Sequence, residues 1–321
     1  MSNKWFQENK DKFFKKYSDK EILKDIEQYK FGNSNLSLTF RHFFEEVMYK
    51  AVGAYGQVAN SNYSEKTPWN FINNDECVNY VEQYIIKHKS FFGSLNVFDN
   101  IKSYFRNQRP RKVAQFPVKQ ARKLIFENFP DYDLFEEPLN IHDPSCGFGS
   151  RMSAVLLEGC NYYGTDPNLE LFDCLNRYYN FLKQYHLTRG ASDIRNIGSE
   201  VFVPEWENMM DISFTSPPYF NLEIYSEDTG ASTKNYDNYE LWKQEYMVPT
   251  CKNIKTYLKK DCLALINTKN ISKKIPIFDD FVKCFEDLNM KRMNNLNTVT
   301  NKKVWNNEET FNEPVMVFQK I

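Results

Sequence analysis

The stretch NIHDPSCGFGSRM, from Asn140 to Met152, reads as a short strand, a turn with two glycines and the beginning of a helix. The strand is predicted to end at Asp143, and the helix is predicted over Ser150 to Leu157. This succession is typical of the nucleotide-binding start of a doubly wound α/β sheet, where glycines let the backbone approach a ligand closely. The turn has no third glycine and no Gly-Lys-Ser/Thr follows it, so it matches neither a dinucleotide fingerprint nor a P-loop.

Two further acidic residues follow at the ends of predicted strands. The stretch YYGTD, Tyr162 to Asp166, predicts a second strand that ends in an acid, and GASD, Gly190 to Asp193, predicts a third. A carboxylate at such a strand end is the usual partner of a ribose diol. Three carboxyl groups on successive strand ends would surround a neutral or cationic adenosine ligand and would repel a polyphosphate.

A Pro-Pro segment ends the next apolar run, DISFTSPPY, from Asp211 to Tyr219. Proline fixes φ at about −65° and removes a backbone donor, so the carbonyl groups of Ser216 and Pro217 are expected to stand rigidly beside the Tyr219 ring. This arrangement suits the binding of an exocyclic amino group on a flat ring that stacks on Tyr219. Taken alone, the stretch favours a plainer interpretation, in which a Pro-Pro turn closes a core strand and Tyr219 is a packing residue.

The C-terminal part predicts further elements of the same sheet. Tyr239 to Leu258 predicts a helix that is interrupted at Pro249. Asp261 to Thr268 (DCLALINT) predicts a buried strand, and Glu313 to Lys320 (EPVMVFQK) predicts a closing strand.

Composition and charge indicate the class of protein and of partner. The 321-residue chain is long enough for two domains. Residues 1–112 hold 18 Lys and Arg against 13 Asp and Glu, whereas the remainder holds 23 against 29, which fits a basic region on an acidic body and a polyanionic partner. Seven cysteines without paired spacing, four scattered histidines and no long apolar run indicate a cytoplasmic protein with free thiols, no metal site and no membrane span.

The N-terminal third is predicted to be mainly helical, over residues 1–30, Ser37 to Val52 and Asp75 to Phe92. A basic segment follows, Ile101 to Lys123, with Arg109 and Arg111 among its cations. The aromatic residues Tyr104, Phe105 and Phe116 are interleaved with these cations. Such a pattern suits phosphate contact and base stacking, and a solvated linker between domains is an equally good interpretation.

Taken in order, the motifs DPSCGFGSRM, GTDPN, ASD and FTSPPY resemble those of class I S-adenosylmethionine-dependent methyltransferases. More narrowly, they are similar to the DNA amino-methyltransferases of phages and mobile elements, which modify adenine N6 or cytosine N4. The resemblance covers about residues 115 to 321, and the two main motifs in this order make it specific. It implies a class I, Rossmann-like methyltransferase sheet with helices on both faces over residues 113–321, and a helical accessory or target-recognition region over residues 1–112.

The resemblance also implies S-adenosylmethionine as the cofactor and double-stranded DNA as the substrate. Asp143 to Gly149 would wrap the methionine part, Asp166 would bind the ribose hydroxyls, and Asp193 would contact the adenine amino group. The full set of implied cofactor-binding residues is Phe116, Pro117, Asp143, Pro144, Ser145, Cys146, Gly147, Gly149, Asp166, Asp193 and Thr215.

The implied catalytic residues are Ser216, Pro217, Pro218 and Tyr219, which would hold the target base. This chemistry needs no covalent nucleophile, because positioning and electrostatics direct the amino nitrogen at the methyl group. The base must leave the helical stack to reach such a pocket. Adenine enzymes of this family usually carry Asp or Asn at the position of Ser216, so the sequence slightly favours cytosine N4.

Two other functions remain compatible with these motifs. An RNA amino-methyltransferase could use the same Pro-Pro segment, and a non-catalytic cofactor-binding subunit of a modification complex could keep the fold. The sequence leaves open whether the chain forms a homodimer or works with a partner in a restriction-modification system.

Overall fold

The computed structural model describes residues 3–52, 67–92, 96–108, 110, 112–113, 115–127, 137–220, 236–294, 296–297 and 314–321. The chain divides into two compact units, one drawn from Met1–Gln115 and the other from Phe116–Phe220 together with Ser232–Ile321. No helix in the described ranges is both long enough and apolar enough to cross a membrane.

The described part of the first unit is helical, as predicted. Its helices are α1 (Asn3–Phe13), α2 (Asp19–Lys30), α3 (Ser37–Tyr49), α4 (Pro68–Ile72), α5 (Asp75–Lys87), α6 (Lys89–Phe92) and α7 (Val97–Asn107). The helical segment predicted over 1–30 is two helices, because Ser18 and Glu21 form a capping box that begins α2. The predicted helix over Asp75 to Phe92 is likewise interrupted, at His88.

Aromatic side chains form the core of this first unit. Phe6, Phe13, Phe14, Tyr49, Phe71, Tyr104 and Phe105 are all buried there. Base stacking by Tyr104 and Phe105 is therefore a wrong prediction, since their rings already pack in the core of α7 and its neighbours. Arg109 and Arg111 of the basic segment lie outside the described residues.

The described part of the second unit contains one sheet of eight strands. They are β1 (Asn140–Asp143), β2 (Asn161–Thr165), β3 (Ser192–Arg195), β4 (Met210–Thr215), β5 (Leu258–Asn267), β6 (Met290–Arg292), β7 (Leu296–Asn297) and β8 (Pro314–Lys320). The order is β3-β2-β1-β4-β5-β8-β6, and β7 also pairs with β8. The first five strands are parallel, whereas β8 runs antiparallel to β5 and β6.

Helices cover both faces of this sheet. They are α8 (Val118–Phe126), α9 (Ser150–Leu156), α10 (Leu169–Gln184), α11 (Tyr239–Trp242), α12 (Val248–Tyr257) and α13 (Ile277–Asp287). On one face Phe214 of β4 packs edge-on against Phe116, with ring centroids 5.7 Å apart. On the other face His142 of β1 packs against Trp206 and Tyr257. The predicted α/β, Rossmann-like sheet with helices on both faces is confirmed.

The helix predicted over Tyr239 to Leu258 contains a wider turn than expected. A π-helical turn, Lys243–Met247, joins α11 to α12, and Pro249 lies in the first turn of α12. Proline cannot donate a hydrogen bond to the carbonyl of Glu245, and its ring crowds that carbonyl, so the preceding turn opens. The predicted interruption is therefore present, but it takes the form of a π turn rather than a break.

Candidate functional site at the strand ends

The two motifs of the site leave the sheet side by side. Strands β1 and β4 are parallel neighbours, with Ile141 opposite Ile212 and His142 opposite Ser213. The glycine loop (Asp143–Gly149) follows β1, and the Pro-Pro segment (Thr215–Tyr219) begins with the last residue of β4. Ligands of doubly wound sheets bind in the crevice beyond the carboxyl ends of such strands.

The glycine loop is tied to the end of β2. The amide of Cys146 donates to the carbonyl of Thr165 at 3.1 Å, and the Thr165 hydroxyl donates to the carbonyl of Pro144 at 2.8 Å. A Cβ at Gly164 would lie 2.4 Å from the Cys146 sulfur, so only glycine lets β2 approach the loop this closely. Gly149 ends the loop as the N-cap of α9 with φ 77°, a left-handed conformation that glycine adopts without strain.

Asp143 is buried beneath this loop and binds its neighbours in the protein. Its carboxylate accepts hydrogen bonds from Arg151 Nε and from the Tyr162 hydroxyl, both at 2.8 Å, and from the Ser145 amide at 3.2 Å. Burial raises the pKa of Asp143, and the Arg151 guanidinium acts against that shift. Asp143 therefore stabilises the conformation of the glycine loop through these buried hydrogen bonds.

Arg151 is a site residue that the sequence analysis did not single out. Its side chain is buried, and besides Asp143 it donates to the Ser145 carbonyl and lies over the Phe214 ring, 5.9 Å from the centroid. The sequence contains a pattern that indicates this role, because Arg151 lies in an apolar helical run directly after the loop. A cation in such a run must find a buried acid.

Asp166 follows β2 directly, so the second acid lies at a strand end as predicted, and its carboxylate also contacts the glycine loop. One carboxylate oxygen accepts from the Gly147 amide at 3.2 Å, and the other accepts from the Asn168 amide at 3.0 Å. Each carboxylate oxygen can accept more than one hydrogen bond, so capacity remains for two ligand hydroxyls. Burial raises the pKa of Asp166 to about 6.

Asp193 does not lie at a strand end, and that prediction is wrong. It is the second of the four residues of β3 and pairs with Tyr163, so two more residues follow before the strand ends. Its carboxylate accepts from Arg195 Nε at 2.7 Å and from Trp206 Nε1 at 2.9 Å. The residue beyond the strand is the exposed Asn196, whose side-chain amide donates to the Asp166 carbonyl at 2.9 Å.

The Pro-Pro segment alternates between buried and half-buried residues. Thr215, Pro217 and Tyr219 are buried, whereas Ser216 and Pro218 are half-buried. The Lys269 ammonium, just beyond β5, lies 5.9 Å from the centroid of the Tyr219 ring. This contact brings the end of β5 to the Pro-Pro segment, which the sequence analysis did not foresee.

Phe116 and Pro117 directly precede α8. Through Phe116, this end of α8 packs against β4, the strand that leads into the Pro-Pro segment. Pro117 is the N-cap of α8, and Phe116 makes the edge-on contact with Phe214 already described. Phe116 therefore lies next to β4 and contacts Phe214, the residue just before Thr215.

Three buried hydroxyl groups at this edge have no hydrogen-bond partner among the described residues. They belong to Ser150 at the start of α9, Thr215 at the end of β4 and Thr268 just after β5. Each of these three residues is at most 4% exposed. A buried hydroxyl without a partner costs about 1–3 kcal/mol. Because the three lie beyond neighbouring parallel strands, a polar ligand in this crevice could satisfy them. The residues present therefore fit a nucleoside-type cofactor.

The chain matches no protein-family model and no curated protein. Among solved structures, a TehB-like SAM-dependent methyltransferase from Corynebacterium glutamicum is 15% identical with a TM-score of 0.41, over 76% of this chain and 100% of that one. A geranyl diphosphate methyltransferase in complex with SAM is 9% identical with a TM-score of 0.44, over 72% and 95%. A putative RNA methyltransferase from Pyrococcus horikoshii is 14% identical with a TM-score of 0.39, over 68% and 88%. Similarities this low identify neither a reaction nor a substrate.

Proposed function

We propose that this chain is an S-adenosylmethionine-dependent methyltransferase that methylates the exocyclic amino group of a base in DNA. The observation that carries the proposal is the adjacency of the glycine loop and the Pro-Pro segment at the ends of the parallel neighbours β1 and β4. One motif fits the cofactor and the other fits a planar base with an amino group, so their adjacency would align donor and acceptor.

The cofactor would lie along the ends of β1, β2 and β3. When bound, S-adenosylmethionine supplies an electrophilic methyl group on a sulfonium centre. The glycine loop would enclose the methionine part, and the Asp166 carboxylate would accept hydrogen bonds from the ribose hydroxyls. Asn196, rather than Asp193, would bind the adenine amino group, because it is the exposed polar residue beyond β3. Phe116 and Pro117 would flank the cofactor from the side of α8.

The Pro-Pro segment would hold the target base. The carbonyl groups of Ser216 and Pro217 would each accept one hydrogen of the amino group, and the Tyr219 ring would stack on the base. His142 of β1 is not proposed as a base, since burial lowers its pKa to about 3 and its ring hydrogen-bonds Ser213 at 3.0 Å. The residues act by positioning and by fixed dipoles.

Double-stranded DNA and cytosine N4 are the substrate class and target that we favour. The net positive charge of residues 1–112 fits a region that contacts phosphates, and we propose it as the target-recognition region. Ser216 favours cytosine over adenine, because the adenine enzymes of the family that the motifs resemble usually carry Asp or Asn at this position.

Mass spectrometry of nucleosides tests this proposal directly. Varied genomic duplex DNA and total RNA are incubated separately with the protein and S-adenosylmethionine, and the Pro217→Ala variant serves as the matched control. N4-methylcytosine in DNA is the expected product, and N6-methyladenine would correct the base while keeping the class. If methylated nucleosides appear in RNA and not in DNA, the substrate is RNA and the DNA assignment is wrong. Cofactor binding without any product would favour the non-catalytic subunit.

A further inference from the structure

A lysine-rich turn follows β5 at the edge of the sheet where the candidate site lies. This lysine turn (residues 269–274, KNISKK) holds three lysines and no acid. Residues 113–321 as a whole hold 23 Lys and Arg against 29 Asp and Glu, so the turn is a local excess of positive charge on an acidic unit. A polyanion that approaches this edge of the sheet is attracted by the turn and repelled by the remainder.

The first lysine of the turn lies beside the Pro-Pro segment. Strands β4 and β5 are parallel neighbours, with Thr215 opposite Ile266, so the two chain segments leave the sheet next to each other. The half-buried Lys269 places its ammonium 5.9 Å from the centroid of the Tyr219 ring. The lysine turn therefore borders the place that we propose for the target base.

Hydrogen bonds of the backbone close the far end of the turn. The Ile275 amide donates to the Ser272 carbonyl at 3.1 Å, and the Ile271 amide donates to the Ile275 carbonyl at 3.1 Å. Lys273 and Lys274 are the two central residues of this four-residue turn. The Lys274 amide also donates to Ser272 Oγ at 3.2 Å. Two adjacent lysines thus extend from a backbone of defined shape.

Asn270 attaches the turn to the beginning of α13. Its side-chain oxygen accepts from the Phe278 amide at 2.9 Å and from the Asp279 amide at 3.3 Å. Its side-chain nitrogen donates to the Asp279 carboxylate at 2.8 Å. The lysine turn is therefore held at one end by the sheet and at the other by a helix of the same unit.

The charges of the two central lysines are not compensated within the described residues. Lys273 and Lys274 are exposed, and neither forms an ion pair with another described residue. The first acids that follow in the sequence have other partners, since Asp279 binds Asn270 and Asp280 accepts from Lys243 at 2.7 Å. Exposed ammonium groups on a fixed turn bind phosphate groups as point charges.

We propose that the lysine turn is a phosphate-binding surface of the second unit, at which Lys273 and Lys274 bind the DNA backbone next to the target nucleotide. The inference rests on the proposed function and deepens it. It adds phosphate contacts beside the Pro-Pro segment to those proposed for residues 1–112. The two lysines act on DNA affinity and have no part in cofactor binding.

Contacts with phosphates have a measurable signature that does not depend on the recognition sequence. Each phosphate contact releases counterions from DNA, so the logarithm of the binding constant falls with the logarithm of the salt concentration, by a slope of about 0.9 per contact. Phosphate contacts carry no sequence information of their own. A fluorescein-labelled DNA duplex of random sequence is therefore a sufficient probe.

The test variant is the double substitution Lys273→Ala and Lys274→Ala in the full-length protein. Both side chains are exposed and make no described ion pair, so the fold should be retained, which the melting temperature checks.

The matched control is the double substitution Lys260→Ala and Lys291→Ala, which changes the net charge by the same amount. These two lysines are also exposed and form no ion pair with a described residue. Lys260 is the third residue of β5, and Lys291 is level with Leu263 through their common neighbour Gln319. Both lie before Asn267, the last residue of β5, beyond which the crevice begins.

Fluorescence anisotropy between about 50 and 200 mM salt gives the Kd for the duplex and the salt slope. The test variant is expected to lose about 2 from the magnitude of the slope and to bind the duplex at least about tenfold more weakly near 100 mM salt. Steady-state methylation of genomic duplex DNA should show the loss in KM for DNA rather than in kcat. The Kd for S-adenosylmethionine should stay unchanged, and the control should resemble the wild type in every measurement.

Equal salt slopes and equal DNA affinities for the test variant and the control would overturn the inference, while methylation of DNA by the wild type would leave the proposed function intact. A test variant whose salt slope is unchanged but whose kcat falls would also overturn it, because the lysines would then act on the reaction and not on phosphates. A wild-type protein that binds S-adenosylmethionine but neither binds nor methylates DNA would overturn the proposed function itself, and the inference with it.

Discussion

The Arg151 guanidinium donates to the Asp143 carboxylate at 2.8 Å, and both side chains are buried, at 7% and 1% exposure. The pair closes the space beneath the glycine loop, where Tyr162 and Ser145 bind the same carboxylate. A buried ion pair contributes little net stability as a whole, but loss of one partner leaves an uncompensated buried charge.

Arg151→Met is therefore expected to lower the free energy of unfolding by about 3–5 kcal/mol. Urea denaturation measures this change. The matched control is Arg122→Met, which breaks the half-exposed pair with Glu158 and should cost about 1 kcal/mol or less. Similar losses for the two variants would show that the Arg151 pair is no more buried in solution than the one at Arg122.

Asp166 predicts a pH dependence of cofactor binding. Its pKa is raised by burial from 3.8 to about 6, and ribose hydroxyls donate more strongly to the ionised form. The cofactor Kd is expected to fall roughly fivefold as pH rises through about 6, since an ionised acceptor adds about 1 kcal/mol over a neutral one. Asp166→Asn should flatten that profile, and an unchanged profile in this variant would assign the titration to another group.

The same carboxyl group gives a prediction for stability with the opposite sign. Because its folded-state pKa is raised, Asp166 contributes stability that is fully present below about pH 4 and is lost as pH rises through about 6. Without cofactor, the wild type should thus lose stability relative to Asp166→Asn between pH 4 and pH 7. Thermal unfolding of both proteins across this range measures the difference, and parallel curves would contradict the burial of the carboxyl group.

The sequence predicted the elements whose signals are local. The closing strand expected over Glu313 to Lys320 is β8, Pro314–Lys320, and the helix expected from Ser150 to Leu157 is α9, Ser150–Leu156. Runs of apolar residues bounded by glycine or proline mark such elements within a window of a few residues.

The features that the sequence did not predict depend on distant partners. The sequence predicts Asp193 at a strand end, but Asp193 lies within β3, where its carboxylate binds Trp206 and Arg195. The contact of Lys269 with Tyr219 joins residues that are about fifty positions apart, and no local pattern marks it. Tertiary contacts of this kind override the local signal at the candidate site.

The end of β3 supplies a comparison between neighbouring residues. Asn196→Ala is expected to raise the cofactor Kd, because it removes the exposed amide that we assign to the adenine amino group. Asp193→Ala is expected to leave that Kd unchanged. It is expected to lower the melting temperature, because the Trp206 indole and the Arg195 guanidinium lose the carboxylate to which they donate. Calorimetric titration of both variants decides the assignment, and a larger loss of affinity in Asp193→Ala would reverse it.

The Pro-Pro segment should act on the target base and not on the cofactor. Pro217→Ala restores a backbone donor and frees φ, so the carbonyl groups of Ser216 and Pro217 lose their fixed direction. We expect methylation to fall by at least about 100-fold, the usual cost of misplacing a reacting group, while the cofactor Kd stays unchanged. Tyr219→Ala should behave in the same way through loss of stacking, and Tyr219→Phe, which keeps the ring, should retain most activity. Single-turnover methylation and cofactor titration measured on the same preparations separate these effects, and a joint loss of both properties would mean that the segment supports the glycine loop as well.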